Sequence, residues 1–271
     1  MPLIIKFLIA VVAATLSATL DAQSCRPTAL LTGYWPPSNE MLRSWHEGAG
    51  WQGANWRNHG YNVYAHFPEF PPDGDPTNDQ IGDPGSVGIG ELSVDYQITS
   101  RDFWSLVEKY RPEVLITTSR GGDIDWELEG LEGGHGKHGQ PNPAKDWIRD
   151  RNGEFELPEK GSISERSWEA ISTYRLGTSL KTKLPINILA SKLSELDLLD
   201  VHIDHTGTSG NYLSGFIGLH GLYYNRIEPH NLTAGHIHVG RHVSVDEATT
   251  MMEATLGIVL KRFPASMACQ R

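Results

Sequence analysis

The sequence predicts an α/β fold, a three-layer sandwich in which helices cover both faces of a mostly parallel central sheet. Segments typical of strands alternate with segments whose apolar residues recur at helical spacing, which is the pattern of α/β proteins. The strand segment "EVLITTS" at 113–119 is apolar over most of its length, as expected for a strand buried on both faces. The chain has 271 residues and no internal repeat, so we expect one domain over 23–271.

The predicted strands are short segments that end near turn residues. Residues 27–35 carry an apolar run that reaches Thr32-Gly33, and residues 60–70 alternate apolar and polar side chains. Further strands are expected at 113–119, 198–205 and 234–240. Reactive groups collect on the loops at the carboxyl ends of parallel strands, so we expect the functional site at those ends.

Helices are predicted at 100–110, 184–196, 210–227 and 244–263. Pro112 ends the first helix, and Ser244 and Glu247 stand in capping-box spacing at the start of the last. Residues 71–90 are rich in Pro, Gly and Asp and predict a long surface loop. Residues 130–167 are again polar and predict an excursion from the core rather than a second domain.

Composition and charge limit the possible partners. The chain is 39% hydrophobic and 21% charged, with 28 Gly and 16 Pro, which indicates a globular protein with many loops. Its formal net charge is -10 and it has no run dense in Lys or Arg. This argues against nucleic acid and against an anionic membrane as the main partner.

The first 22 residues have the features of a secretory signal peptide. They are mostly apolar, with Lys6 near the start and small residues toward the end, and Leu20 and Ala22 stand before the expected cleavage site. A membrane anchor is the alternative, but the apolar run is short for a bilayer span. We therefore expect a secreted or periplasmic protein with no stable membrane insertion after signal cleavage.

The two cysteines, Cys25 and Cys269, lie at the two ends of the mature chain. In an oxidising compartment this arrangement favours a disulfide that joins the termini. A lipid-anchored Cys25 is the alternative, although "DAQSC" fits a lipidation site poorly. Neither cysteine lies in a motif, which argues against a thiol nucleophile.

Ser214, in "TSGNYLSGF" at 208–216, is a candidate nucleophile. A serine near the start of a helix is usually a cap or a small packing residue. Here Gly207 and Gly210 allow a sharp turn into the helix, and the amides of a helix N-terminus stabilise an oxyanion. The G-x-S-x-G nucleophile motif is absent from this segment.

His238 is the candidate base, in the strand "AGHIHVG". Strand alternation puts His236 and His238 on one face, so a metal site formed by this pair is an alternative, with His202 or His205 as a third ligand. No H-E-x-x-H spacing supports it. A base also needs an orienting acid, and the segment after Gly121-Gly122 supplies candidates that otherwise form a solvated face: Asp123, Asp125, Glu127, Glu129 and Glu132.

Five blocks in order resemble the type I pyroglutamyl peptidases (pyrrolidone-carboxylate peptidases), which remove an amino-terminal pyroglutamate from peptides. "LLTGYWPP" is similar to the family's T-G-F-x-P-F opening, and "RPEVLITTSRGGDIDWELE" to the block with its catalytic glutamate. "SLKTKLPINILASKL", "TSGNYLSGFIGLHGLYY" and "AGHIHVG" resemble its S-T-L-P helix, its nucleophile segment and its G-F-I-H-V-P strand. The resemblance spans most of residues 28–260.

This resemblance implies a Ser-His-Glu arrangement in place of the family's Cys-His-Glu. The nucleophile falls on Ser214, the base on His238 and the acid on Glu129, or on Glu127 if a short gap is allowed. Tyr34 takes the position of an aromatic residue that packs on the pyroglutamyl ring, and backbone amides near Ser214 and in the Gly121-Gly122 loop are expected to bind the oxyanion. The departures from the family pattern are Ser214, Gly215, Asp123, Pro37 and Gly240.

The resulting expectation is an exported hydrolase of amide or peptide bonds that uses no cofactor and no metal. A serine hydroxyl needs a well-placed base because, unlike a thiol, it is not partly ionised near neutral pH. The expected partner is a peptide or a small amide substrate, and a homo-oligomer is compatible with the sequence. The alternative is a catalytically inactive homologue that keeps the fold and binds a peptide or a small molecule.

Overall fold

The structure, a computed structural model, describes residues 25–70, 88–94, 96–132, 180–206 and 213–270. The predicted signal peptide lies outside the described residues. So do most of the predicted loop at 71–90, most of the excursion at 130–167, and the two glycines that precede the Ser214 helix, Gly207 and Gly210.

Six strands form the central sheet of the described chain. They are β1 (Thr28–Thr32), β2 (Asn62–His66), β3 (Val114–Arg120), β4 (Asp125–Glu129), β7 (Asp200–Asp204) and β8 (Thr233–Val239). Their order across the sheet is β2-β1-β3-β8-β4-β7. A two-stranded ribbon pairs β5 (Leu131–Glu132) with β6 (Leu180–Lys181). Four of the five strand pairs in the central sheet are parallel, so the predicted mostly parallel sheet is confirmed.

One junction in the sheet is antiparallel. Strands β1, β2, β3 and β8 run parallel to one another, whereas β4 pairs antiparallel with β8 and parallel with β7. The prediction of strands did not include β4, because its alternating acids resemble an exposed segment. The short turn through Gly121 and Gly122 reverses the chain between β3 and β4 and sets this direction.

The helices lie on both faces of the sheet, as the fold class requires. They are α1 (Tyr96–Tyr110), α2 (Ile186–Ser194), α3 (Leu213–Ile227), α4 (Val245–Arg262) and the single turn α5 (Ala265–Ala268), with 3₁₀ helices at Glu40–Trp45 and Trp56–Asn58. Apolar residues of α1 and α3, such as Phe103 and Phe216, share one core with Leu115 of the sheet. Residues of α2 and α4, such as Leu189 and Met252, form the second core on the opposite face.

The predicted helix ends agree with the structure to within a few residues. The largest difference is at α1, which begins at Tyr96 rather than at Ser100. At α4 the predicted capping box is confirmed, because the Ser244 side chain accepts a hydrogen bond from the Glu247 amide and the Glu247 carboxylate accepts one from the Ser244 amide.

The disulfide between Cys25 and Cys269 is present, with a Cα–Cα distance of 5.9 Å and a sequence separation of 244. The bond therefore joins the start of β1 to the segment after α5, as predicted. Of the helices in the described part of the chain, none combines the length and the apolar character that a bilayer span needs.

Candidate active site

Ser214 lies in the first turn of α3 and is 5% exposed. Its Oγ is hydrogen-bonded to Nε2 of His238 on β8. The two residues are in contact because α3 packs against β8 and β3. The start of the helix therefore lies on the face of the sheet that carries His238. Backbone amides in the first turn of a helix have no intrahelical acceptor, so this position also puts hydrogen-bond donors near the Ser214 hydroxyl.

His238 is 3% exposed, and its second ring nitrogen faces two carboxylates. Nδ1 lies 2.6 Å from Oε1 of Glu129 and 3.4 Å from Oε2 of Glu127. Glu127 stands directly opposite His238 in the antiparallel β4–β8 pair, and Glu129 follows two residues later on the same face of β4. The reversed direction of β4 thus brings both predicted acids to one imidazole, with Glu129 the nearer.

Glu129 is completely buried. Its Oε2 has no hydrogen-bond partner among the described residues, whereas its Oε1 is hydrogen-bonded to His238 Nδ1. Burial disfavours the ionised carboxylate and raises the pKa of Glu129, although the hydrogen bond and the charge of His238 act in the opposite direction. The contact with His238 therefore offsets the effect of burial on Glu129 only in part.

The pKa of His238 is raised and that of Glu127 is lowered, and both shifts favour the charged form of the side chain. Burial alone would lower the pKa of His238, but the hydrogen bonds and charges of Glu127 and Glu129 outweigh burial and raise it. At Glu127, burial is outweighed by hydrogen bonds and charges from His238 and His202, so its pKa is lowered. Glu127 is thus the carboxylate that carries the negative charge beside the imidazole.

The alternative of a His236–His238 metal pair is not supported by the geometry. The two rings are adjacent, with centroids 4.8 Å apart, but both ring nitrogens of His236 have hydroxyl partners. Nδ1 lies 2.7 Å from Thr117 Oγ1 and Nε2 lies 3.2 Å from Ser119 Oγ. Burial also lowers the pKa of His236, so it stays neutral. His236 is therefore a hydrogen-bonded core histidine.

Two other groups of possible ligands occur among the described residues, and both include Glu127. Asp125, Glu127 and His202 form one, and Glu127, Glu129 and His238 form the other. In each group the histidine nitrogen nearest to a carboxylate already forms a hydrogen bond to it, at 3.1 Å for His202 and 2.6 Å for His238. Paired carboxylates and imidazoles account for these contacts without a metal ion.

The turn at Gly121-Gly122 passes directly beside His238. A Cβ on Gly121 would lie 2.6 Å from the Cβ of His238, so this position requires glycine. The Gly121 amide donates to the Val239 carbonyl at 2.7 Å, which removes it from the expected oxyanion donors. The Gly122 carbonyl accepts from the Arg241 amide at 3.3 Å and from Arg241 Nε at 3.1 Å, and these bonds hold the turn in place.

Tyr34, the predicted substrate-stacking aromatic, is fully buried in the core shared with α1 and α3. Its hydroxyl is hydrogen-bonded to Thr99 Oγ1 at 2.6 Å, and its ring meets Trp35 edge-on with a centroid distance of 5.7 Å. Its contact with a substrate stays a prediction.

The remaining acids of the Gly121-Gly122 segment lie apart from the Ser214–His238 contact. Asp123 is exposed and pairs with His242, whereas Glu132 on β5 is buried against Gly218 of α3. One histidine near the site was predicted from the sequence only as an alternative metal ligand. This is His202, which contacts Glu127 from the edge strand β7.

A second buried serine–histidine pair joins α1 to α3. Ser100 Oγ is 3.1 Å from His220 Nε2, and His220 Nδ1 is 2.8 Å from the carbonyl of Phe216. No carboxylate contacts this imidazole among its described partners, and burial lowers the pKa of His220 to about 4. At His238, which is also buried, Glu127 and Glu129 of β4 raise the pKa instead.

The sequence matches no protein-family model and no characterised protein at a significant level. Solved structures, in contrast, superpose over most of the chain. A mutant pyrrolidone carboxyl peptidase from the hyperthermophile Pyrococcus furiosus has a TM-score of 0.59 at 14% identity, covering 87% of this chain and 99% of its own. Pyroglutamyl peptidase I from Bacillus amyloliquefaciens has a TM-score of 0.55 at 16% identity, covering 87% and 98%.

The fold is that of pyroglutamyl peptidase I. A second mutant of the P. furiosus enzyme gives a similar TM-score of 0.58, with coverage of 86% of this chain and 98% of that one. At identities of 14–16% these structures establish the shared architecture, and the chemistry has to be argued from the residues described above.

Proposed function

We propose that the protein is a hydrolase of amide bonds in which Ser214 is the nucleophile, His238 the general base and Glu129 the acid that orients the imidazole. The observation that carries the proposal is the buried chain of contacts from Ser214 Oγ to His238 Nε2 and from His238 Nδ1 to Glu129 Oε1 at 2.6 Å. A nucleophile, a base and an orienting group within hydrogen-bond reach form the arrangement of a serine hydrolase.

The proposed reaction begins with the neutral imidazole. Nδ1–H of His238 donates to Glu129, which leaves Nε2 to accept the proton of the Ser214 hydroxyl as Oγ attacks the carbonyl carbon of the substrate. The carbonyl oxygen becomes the oxyanion, and amides in the first turn of α3 stabilise it. His238 then donates the proton to the leaving amine, the C–N bond breaks, and an ester on Ser214 remains. Water, deprotonated by His238, then attacks the ester, the bond between the acyl carbon and Ser214 Oγ breaks as His238 returns the proton to Oγ, and the acid is released.

Glu129 and Glu127 have different roles in this proposal. Glu129, whose pKa is raised by burial, accepts the hydrogen bond from Nδ1–H and so holds the imidazole in the tautomer with a free Nε2. Glu127, whose carboxylate stays ionised, places a negative charge 3.4 Å from Nδ1 and stabilises the imidazolium that forms during attack. A hydroxyl is a harder proton donor to deprotonate than a thiol, so a serine nucleophile benefits from this second charge.

For the substrate we propose a peptide or small amide with an amino-terminal pyroglutamyl group. The support is the shared fold and the resemblance of the segments around Ser214, His238 and Tyr34 to the peptidase blocks. Gly215, Asp123 and Pro37 depart from that pattern, so a panel of other aminoacyl amides belongs in the assay.

We also propose that the protein acts outside the cytoplasm. The apolar segment over 1–22 supports export, and the disulfide between Cys25 and Cys269 is the kind of bond that persists in oxidising compartments. A serine nucleophile suits such a compartment because an exposed thiolate would be oxidised there.

The test is hydrolysis of a fluorogenic pyroglutamyl amide, and of the aminoacyl panel, by the wild-type protein, Ser214→Ala and His238→Ala. Turnover by the wild type that falls to background in both variants supports the proposal. Equal background signal in all three proteins would end it and favour the alternative of an inactive binding protein.

The matched control is Ser100→Ala. It removes the same hydroxyl from a buried serine that also contacts a histidine, but from the pair without a carboxylate. We expect Ser100→Ala to keep wild-type activity, so a loss in Ser214→Ala cannot be ascribed to a missing buried hydroxyl in general.

A further inference from the structure

Glu127 lies between two histidines on neighbouring strands. Its partner on β8 is His238 and its partner on β7 is His202, each directly opposite in the strand register. The side chains of these residues are in contact as well. Glu127 Oε2 lies 3.4 Å from His238 Nδ1, and Glu127 Oε1 lies 3.1 Å from His202 Nε2. Each oxygen of one carboxylate therefore contacts a different imidazole.

His202 differs from His238 in its surroundings. Its side chain is 41% exposed, at the edge of the sheet, whereas that of His238 is 4% exposed. Helix α2, which packs on β7, does so against the opposite face of the strand, where Val201 and Ile203 join the core. Among the described residues, the nearest carboxylate to His202 Nε2 is that of Glu127 at 3.1 Å, followed by that of Asp125 at 3.9 Å.

We propose that His202 is a positioning residue for the Ser214–His238 site and acts through the carboxylate of Glu127. This inference rests on the proposed function. Nε2–H of His202 donates to Oε1 and fixes the rotation of the carboxylate, so that Oε2 points at Nδ1 of His238. Without that bond the half-buried carboxylate is free to turn toward solvent, where water screens its charge from the imidazole.

Among the described residues Glu127 has two imidazole partners, His238 and His202, and its other charged neighbours on this face are acidic. Asp125 on β4 lies 3.9 Å from His202 Nε2, Asp200 and Asp204 share the His202 face of β7, and Glu129 follows Glu127 on β4. These carboxylates repel Glu127, so its orientation toward His238 depends on the donor at position 202.

The inference is tested with His202→Leu, which removes the donor, and His202→Gln, whose amide supplies a donor near the position of Nε2. For His202→Leu we expect kcat/KM to fall roughly ten-fold and the midpoint of the rising limb of the pH profile to move down by about one pH unit, because the displaced charge no longer raises the basicity of His238. His202→Gln should restore most of both values. The control is His59→Leu, which removes a surface histidine stacked on Trp56 near the other edge of the sheet.

A double-mutant cycle shows whether the effect passes through Glu127. His202→Leu in the Glu127→Gln background should cause no further change, since the oriented charge is already absent. Full additivity of the two substitutions, or an unchanged midpoint in His202→Leu, would overturn the proposal.

A readout without turnover separates this inference from the proposed function. NMR titration of the His238 ring should show a lower midpoint in His202→Leu than in the wild type, with His202→Gln close to the wild type. An inactive wild type with this shift would overturn the hydrolase and keep the positioning role. An active wild type without the shift would do the reverse.

Discussion

Ser214 and His238 are hydrogen-bonded through Oγ and Nε2 although 24 residues separate them in the chain. The contact joins the first turn of α3 to β8, so it exists only while that helix is packed on the sheet.

The activity should rise with pH, with a midpoint above the ordinary histidine value of about 6.5. His238 must be neutral to accept the hydroxyl proton. Burial favours the neutral ring, but Glu127 and Glu129 outweigh burial and raise the pKa of His238, so the neutral ring forms only at higher pH. The check is kcat/KM as a function of pH with a pyroglutamyl amide. A midpoint at or below the ordinary value would contradict the role assigned to the two acids.

Glu129→Gln and Glu127→Gln should lower the activity to different extents. Glu129→Gln removes the acceptor at 2.6 Å and lets the imidazole adopt the wrong tautomer, so we expect kcat to fall by about 10³-fold or more. Glu127→Gln removes a charge at 3.4 Å and should cost about 10-fold, with the pH midpoint moved down. Steady-state kinetics of both variants decide this, and a larger loss in Glu127→Gln would reverse the assignment of the two carboxylates.

Ser214→Cys should retain measurable activity and become sensitive to iodoacetamide. A thiol ionises far more readily than a hydroxyl, so the same histidine and acids suffice to activate it. Both native cysteines are in the disulfide, which makes position 214 the site of the one free thiol in this variant. Inactivation by iodoacetamide, with the wild type as the resistant control, is the measurement. Resistance of an active Ser214→Cys variant would show that residue 214 is not the nucleophile.

Removal of the disulfide by Cys25→Ser and Cys269→Ser should lower the free energy of unfolding by about 2–4 kcal/mol. The bond closes a loop with a sequence separation of 244, so its loss increases the freedom of the unfolded chain more than it alters the site. Denaturant unfolding measures the change. Activity below the unfolding transition should match that of the wild type, and an unchanged unfolding midpoint would contradict the prediction.

Chelators should leave the activity unchanged. Both ring nitrogens of His236 bond to hydroxyls, and those of His238 contact Ser214 and Glu129, so the histidines of β8 already have protein partners. Incubation with a strong zinc chelator followed by assay tests this. Loss of activity that added metal restores would favour the metal-dependent alternative instead.

The class of fold, most of the helices and strands and the candidate residues of the site were predicted from the sequence alone. Apolar strand segments and helical periodicity depend on local chemistry, so they could be read from the chain, and so could the capping box at Ser244. The nucleophile and base candidates followed from the blocks around Ser214 and His238.

The sequence left Glu129 and Glu127 as alternatives for the acid, and the three-dimensional structure brings both to the imidazole with Glu129 the nearer. The direction of β4 and its place between β8 and β7 depend on pairing between strands that are distant in the chain. That pairing puts Glu127 and Glu129 at one imidazole, brings His202 to Glu127, and leaves His236 bonded to Thr117 and Ser119. Local pattern fixes which face of a strand a side chain occupies, whereas its neighbours across the sheet are set by long-range register.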